Sequence, residues 1–199
     1  MDLVNAASNL TLTELGSAIT HISLHTAYPG TSGSSEVAGG SPAYTREAVT
    51  WGAPSAGSMS ATGALEFDVP AGTTVAWAGF WSASTAGTFY GSVPLGPVGD
   101  PKITMATTAD VFTAISHGWS DGQPVALSKT LGALPVGVTD GGLYYVRDVS
   151  GDTFKVASTL GGSPVDVTAA GTALIRAITV ETFGGHGTYT ITSLSLNQA

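Results

Sequence analysis

Apolar side chains along this chain recur predominantly at every second position, and that period commits most of it to β-strands rather than helices. Leu65, Phe67 and Val69 alternate with Glu66 and Asp68, the pattern of a strand with one buried face and one wet face. Ile22 and Leu24 alternate in the same way with His21, Ser23 and His25. In "TTVAWAGFWSAS", Val75, Trp77 and Trp81 fall on one face while Ala76, Ala78 and Phe80 fall on the other, so both faces of this strand are covered. No charged residue stands between Asp68 and Asp100, which assigns residues 69–99 to the core of a sheet or to a contact between subunits. The closing stretch "TYTITSLSLN" puts Tyr189 and Ile191 on one face but Leu194 and Leu196 on the other. That phase slip predicts a β-bulge near Thr192 or Ser193. The expected partner is "RAITVETF", joined through the turn Gly184-Gly185-His186-Gly187.

One short helix interrupts the pattern. Thr11 and Glu14 have the spacing of a capping box, in which the threonine oxygen accepts from an early helical N–H and the glutamate reaches back. Leu12, Leu15 and Ile19 follow at helical spacing, so the predicted helix ends near Ile19 or Thr20.

The middle of the chain has a different texture. Five of the six basic residues, Lys102, Lys129, Arg147, Lys155 and Arg176, lie within residues 101–176, leaving Arg46 alone for the rest. Short strands are predicted there over 110–114, 124–128, 143–149, 153–157 and 165–168, separated by glycine and proline turns. These features describe a small β domain, residues 101–176, inserted between strands of a β-sandwich formed by residues 1–100 and 177–199. "LGPVGDP" (95–101) serves as the exit linker, since exposed turns tolerate insertion.

Composition narrows the function. Only 10% of residues are charged, and Gly (27) and Pro (10) are plentiful, so the surface is built from hydroxyls and methyls and is expected to be partly covered by another chain, in a homo-oligomer or larger assembly. The net charge is −8 with no cluster of Lys or Arg, which argues against nucleic acid and against anionic membrane surfaces, because both are bound by neutralising phosphates. The absence of cysteine removes disulfides, thiolate chemistry and Cys-based metal sites. "MDLVNAASNLTLTELG" lacks the cationic-then-apolar order of a secretion signal, and no window of 18 apolar residues exists to span a bilayer.

The segment from Thr20 to Leu95 resembles a family of tailed-bacteriophage virion proteins, the tail fibre or minor tail proteins. The likeness is carried by "LHTAYPGT", "SSEVAGG", "TREAVTWG", "VPAGTTV" and "GFWSASTAGTFYG", and closes with "GTYTITSLSL". The inserted stretch, with "HGWSDGQPVAL" and "LGALPVGVTDGGLYYVRDVSGDTFKVASTLGGSPVDVTAAG", is similar to a second module of phage tail and fibre proteins. Plain members of the first family run from "GTFYG" to the closing hairpin with little between. The resemblance implies a virion structural role, with other virion proteins as partners and the tail as the location.

Residue patterns that could carry chemistry have simpler readings. Gly118-Trp119-Ser120-Asp121-Gly122 fits the G-x-S-x-G of a nucleophile elbow, which needs a strand before the serine and a helix after it. Here Gln123-Pro124 and an alternating apolar run follow, so Ser120 is expected in a turn and His117 in a loop or strand edge. His21 and His25 share a strand face but stand roughly 13 Å apart at the strand rise, too far to share an ion, and His186 sits in a glycine turn. Glu66 with Asp68, and Glu47 near Arg46, read as a solvated strand face rather than the facing carboxylates of a glycosidase. "VRDVSGDT" lacks the ligand spacing and central glycine of a calcium loop. No catalytic residue, metal or cofactor is expected.

Aromatic residues are the better recognition candidates. Trp119, on a glycine-flanked turn, is expected to be exposed and able to stack on a sugar ring, with Tyr144 and Tyr145 as lesser candidates because only one of two adjacent strand residues can face out. Trp77 and Trp81 are candidates for assembly contacts, with burial in their own core as the alternative. The chain is therefore read as an all-β phage virion protein, not an enzyme: a tail fibre or minor tail component, attaching through protein-protein contacts and projecting its inserted domain outward, with a host surface glycan as a candidate partner. A capsid decoration protein and a glycan-binding module are the alternatives.

Overall fold

The structure, a computed structural model, describes residues 3–96, 102–129 and 132–198; most of "LGPVGDP", the proposed linker, lies outside the described residues. It is all-β with one N-terminal helix, as the period-two pattern predicts. In chain order the elements are α1 (Leu3–Ala18), β1 (His21–His25), β2 (Glu47–Ala48), β3 (Ser58–Ser60), β4 (Leu65–Val69), β5 (Thr74–Val75), β6 (Trp77–Trp81) and β7 (Phe89–Pro94). There follow β8 (Lys102–Ala106), β9 (Phe112–Thr113), β10 (Pro124–Lys129), β11 (Leu143–Ser150), β12 (Thr153–Ala157) and β13 (Gly171–Ala177). The last three are β14 (Glu181–Thr182), β15 (Gly187–Ile191) and β16 (Ser195–Asn197). The chain divides into two compact units, residues 1–93 with 181–199 and residues 94–180.

The first unit is assembled from small sheets. One has four strands in the order β2-β1-β6-β7, and three are pairs, β14-β5, β15-β4 and β16-β3. Strand β6 is buried along its whole length, as its two apolar faces require, and β4 alternates between buried Leu65, Phe67 and Val69 and more open Glu66 and Asp68. Burial does not extend through residues 69–99: β7 is half-buried and Tyr90 is 45% exposed.

Three expectations for this unit are corrected. The helix begins at Leu3 rather than at Thr11. Thr11 is interior to it, with its hydroxyl donating to the Ala7 carbonyl one turn back, the bond a mid-helix threonine makes in place of a cap. The closing stretch does not bulge but divides in two, because β15 pairs with β4 (Ile191 opposite Leu65) while β16 pairs with β3 (Leu196 opposite Met59). Changing partner sheets accounts for the phase slip. "RAITVETF" is accordingly not the partner of β15: its first residues belong to β13, and Glu181–Thr182 pair with β5.

The second unit is a closed six-stranded barrel in the order β10-β11-β12-β9-β8-β13. Closure leaves no unpaired strand edge, and the inward residues of every strand fill the interior. Phe112 and Phe154 stack at 5.8 Å between centroids, surrounded by Val125, Leu127, Val146, Val156 and Ile175. Strand β12 has the bounds that alternation predicts. The expected strand over 165–168 does not form, since Val165 bonds to Val156 while the Val167 amide donates to the Asp110 carboxylate at 2.7 Å, leaving no ladder. Alternation did not mark β8 or β13.

Candidate functional site

Polar groups inside the first unit form one connected chain. The Arg46 guanidinium donates from Nε and Nη2 to the two carboxylate oxygens of Glu36, each at 2.7 Å, and from Nη1 to the carbonyls of Ala83 and Ala86. Its carbon centre lies 3.5 Å from the Trp81 ring centroid, so the cation also covers the negative face of the indole. Trp81 Nε1 donates to Ser23 Oγ at 2.8 Å, and Ser23 Oγ lies 2.6 Å from His25 Nε2. Nδ1 of His25 completes the chain at 2.8 Å from the Ser34 carbonyl. A carbonyl can only accept, so Nδ1 carries the proton, Nε2 accepts from the Ser23 hydroxyl, and every donor has an acceptor while His25 is neutral.

This arrangement ties residues 26–46, an excursion with little regular structure, back onto β1 and β6. Ser23 and His25 are both fully buried. Burial pushes the His25 pKa below its ordinary value, opposed by the Ser34 carbonyl and the Glu36 carboxylate. A Cβ on Gly79 would stand 2.4 Å from His25 Nε2 and 2.5 Å from Ser23 Oγ, so the adjacent strand must be bare at this point. Gly33, at φ +74°, lies against the Trp81 ring where a Cβ would meet ring carbons at 2.3 and 2.5 Å. Ser23 and His25 thus form a serine–histidine hydrogen bond sealed within the sheet. Sequence reading missed its role and that of Arg46; the signal was there, in the sole base outside residues 101–176 and in two polar residues at i and i+2 of an apolar strand.

The predicted assembly contacts, Trp77 and Trp81, are 4% and 7% exposed, and both rings are taken up within their own chain. Trp77 packs on Tyr28 at 5.1 Å, and Trp81 on Phe89 at 4.9 Å. Tyr44 hydrogen-bonds through its hydroxyl to the Leu24 amide at 2.6 Å, and burial raises its pKa. His21 bonds to its neighbour Thr20 at 2.9 Å, and His186 lies 3.3 Å from Asp68. Glu47, near Asp68 and Glu66, has its pKa raised, first by desolvation and then by the Asp68 charge.

In the barrel, Ser120 is exposed and its carbonyl accepts from the Gln123 amide in a turn that leads straight into β10, with no helix after it. The turn is held elsewhere by Asp121, which accepts from the Val149 amide. His117 is buried, and its Nδ1 accepts from the Trp119 amide at 2.9 Å. The expectation of an exposed Trp119 is corrected. Its ring is half-buried against the barrel core, 5.0 Å from His117 and 5.6 Å from Phe154, because the turn folds inward over the end of the Phe112–Phe154 stack. Tyr144 is also buried, its hydroxyl accepting from the Thr139 amide at 2.9 Å, whereas Tyr145 is half-buried on the outer face of β11. The structure does not bring Trp119, Tyr144 and Tyr145 into one exposed platform.

The outward surface of the barrel carries the clearest anomaly. Strand β8 points Thr104 and Ala106 inward and leaves Ile103 and Met105 outward at 70% and 63% exposure.

A family model described as Podophage GP4 fiber I protein gp80 matches residues 4–115, more than half of the chain. The chain belongs to this phage fibre family. It is thus a bacteriophage fibre structural protein, a component of the virion. The match takes in the Arg46–Trp81–His25 network and strands β8 and β9, and it stops short of the Trp119 turn. Comparison with curated proteins and with solved structures finds no match.

Proposed function

We propose that this fibre protein is a tail component, attached to the particle by contacts between uncharged β surfaces and needing no covalent chemistry for its task. The carrying observation is the fibre-family match over residues 4–115. Physical support comes from the surface. With 10% charged residues, and with Arg46 consumed by Glu36 and two carbonyls, the first unit offers its neighbours hydroxyls, methyls and a few carboxylates. Such surfaces associate through apolar burial and backbone pairing, contacts that are individually weak and become durable when repeated in an assembly. The Ser23–His25 pair, the one serine–histidine bond described above, is engaged in holding residues 26–46 in place and has no route to a substrate.

Gold-conjugated antibody against this chain, applied to intact particles, tests the location. Labelling of the tail is expected. Labelling confined to the head surface would replace this reading with capsid decoration.

A further inference from the structure

We propose that residues 26–37 form an acid-released strap, held closed over β1 by the neutral imidazole of His25 and opened when that ring takes up a proton. Among the described residues the strap's ladder contact is a single bridge, His25 with Glu36. It also closes through the Thr26 amide on the Ser35 carbonyl at 2.9 Å and the Val37 amide on the Leu24 carbonyl at 3.0 Å. Ser34, whose carbonyl accepts from His25 Nδ1, is itself exposed. On the strap side the fully buried imidazole is thus one residue from water, while Gly79 of β6 and Phe89 of β7 close other sides.

Donor counting makes the closed strap sensitive to charge. With His25 neutral, Trp81 Nε1 donates to Ser23 Oγ, the Ser23 hydroxyl donates to Nε2, and Nδ1 donates to Ser34. A proton on Nε2 turns that acceptor into a second donor aimed at Ser23 Oγ, and the hydroxyl proton loses its acceptor. The Ser23 side chain has no other hydrogen-bond partner among the described residues. No water can take the place on the β6 side, where even a Cβ on Gly79 would lie 2.5 Å from Ser23 Oγ.

The new charge would also lack a counterion of its own. Glu36 and Arg46 are the charged groups that act on the ring, and they are already paired with one another through two bonds of 2.7 Å. Strand β6 presents Trp77 opposite His25 and then Gly79, β7 presents Phe89, and the same face of β1 carries Ser23 and His21, the latter bonded to Thr20. Glu47 of β2 stands opposite Ile22, on the far face of β1. Tyr44 accepts from the Leu24 amide, and burial raises its pKa, which keeps it neutral. An imidazolium sealed in these surroundings is costly, and its way to water leads through Ser34, by local opening of the strap. Burial accordingly depresses the His25 pKa. Opening also parts Glu36 from Arg46, which keeps the strap shut at neutral pH.

Because the folded pKa lies below 6.5, closure is complete above pH 6.5 and weakens as pH falls from there. Between 6.5 and the folded pKa, the opening constant should rise about tenfold for each unit of pH, the slope of one proton taken up. Hydrogen–deuterium exchange of the full chain, read peptide by peptide with the intrinsic pH dependence removed, should show this loss of protection in residues 26–37 while β1, β6 and the barrel strands stay protected. Nitrogen NMR of the histidine rings should find His25 as the Nδ1–H tautomer at neutral pH. His25→Asn keeps a donor toward Ser34 but cannot titrate, so strap protection in that variant should not vary across the window. Ser23→Ala removes the hydroxyl that needs Nε2 as its acceptor, so the His25 pKa should rise toward 6.5 and the slope should shrink. Constant protection of residues 26–37 in the wild type, an Nε2–H tautomer, or opening of the whole first unit in step with the strap would overturn the proposal. So would a pH-dependent loss that survives in His25→Asn. If that variant does not fold, the wild-type tautomer and the Ser23→Ala slope decide, an unchanged slope counting against the strap. The strap belongs to the first unit and stands whether the particle carries the chain on its tail or its head.

Discussion

Trp81 and Trp119 are both packed inside this molecule, but by opposite means. Trp81 is pinned by a chain of directional bonds from Glu36 through Arg46 and Ser23 to His25, whereas Trp119 rests on Phe154 in an interior where, among the described residues, the buried polar side chains are Thr104 and His117. The first unit has short strands in four separate sheets and a 26–46 excursion with almost no ladder, so backbone pairing alone does not fix where its pieces go. Buried hydrogen bonds and an ion pair do so. The barrel fixes its strands by closing on itself and can fill its centre with phenylalanine and valine. Charge follows the same division: seven acids and one base in the first unit, seven acids and five bases in the second. The contrast shows one chain using two routes to a unique fold, specificity by polar geometry and specificity by topology.

That contrast can be broken most sharply at Arg46. Arg46→Met removes the partner of a carboxylate whose side chain is only 22% exposed and frees two carbonyls, which should cost about 3–5 kcal/mol in chemical denaturation. A loss under about 1 kcal/mol would show that the polar chain is incidental. The matching change in the barrel, Phe154→Ala, should cost a similar amount, about 3–5 kcal/mol, through a cavity instead of an orphaned charge. Calorimetry should assign the first loss to the unit containing residues 1–93 and the second to the barrel. A single transition shifted equally by both would erase the distinction.

Acid sharpens the comparison with a smaller effect. Because the folded pKa of His25 lies below 6.5, the unfolded chain binds the proton more readily. The stability held by neutral His25 is complete above pH 6.5 and is lost as pH falls from there toward the folded pKa. The melting temperature of the first unit should therefore drop on acidification through this window, and His25→Asn should flatten the slope while lowering stability at neutral pH. An unchanged slope would show that His25 is not the group responsible. Smallest is Glu47, whose raised pKa has the opposite sign. Its charge is unfavourable at neutral pH, so Glu47→Gln should stabilise by under about 1 kcal/mol at pH 7, fading below the usual carboxylate range where both states are protonated. Thermal melts at pH 7 and pH 4 would reveal a gain that persists in acid if this assignment is wrong.

Local pattern was legible where one strand's burial decides its own side chains. Strands β4 and β12 could be read from alternation and β6 from its unbroken apolar run, because their residues meet the core wherever their partners lie. Partner choice could not be read. The pairing of Ile191 with Leu65 and of Leu196 with Met59 depends on the three-dimensional return of the chain, and a local hairpin rule pointed instead to the nearest upstream strand. The helix start was misplaced because Thr11 and Glu14 imitate a cap inside a helix whose earlier turn is held by a tertiary bond, the Gly57 amide donating to Asn9 Oδ1 at 3.0 Å. Among the candidate residues, aromatic side chains flanked by glycine looked exposed, yet the φ +67° of Gly118 turns Trp119 inward. Strand β8 was missed for the reason that makes it interesting, since its apolar residues face water.

The late return of β15 and β16 has a consequence for biosynthesis. As the polypeptide leaves the ribosome, β3 and β4 emerge with their apolar faces ready and no partner yet made, while everything needed for the barrel is translated next. At typical elongation rates the wait lasts roughly 10 s, long enough for the barrel to close first. The nascent fibre protein therefore carries a finished module downstream of an open one, and β15 and β16, translated after that module, act as the latch that converts two exposed strand edges into a completed domain.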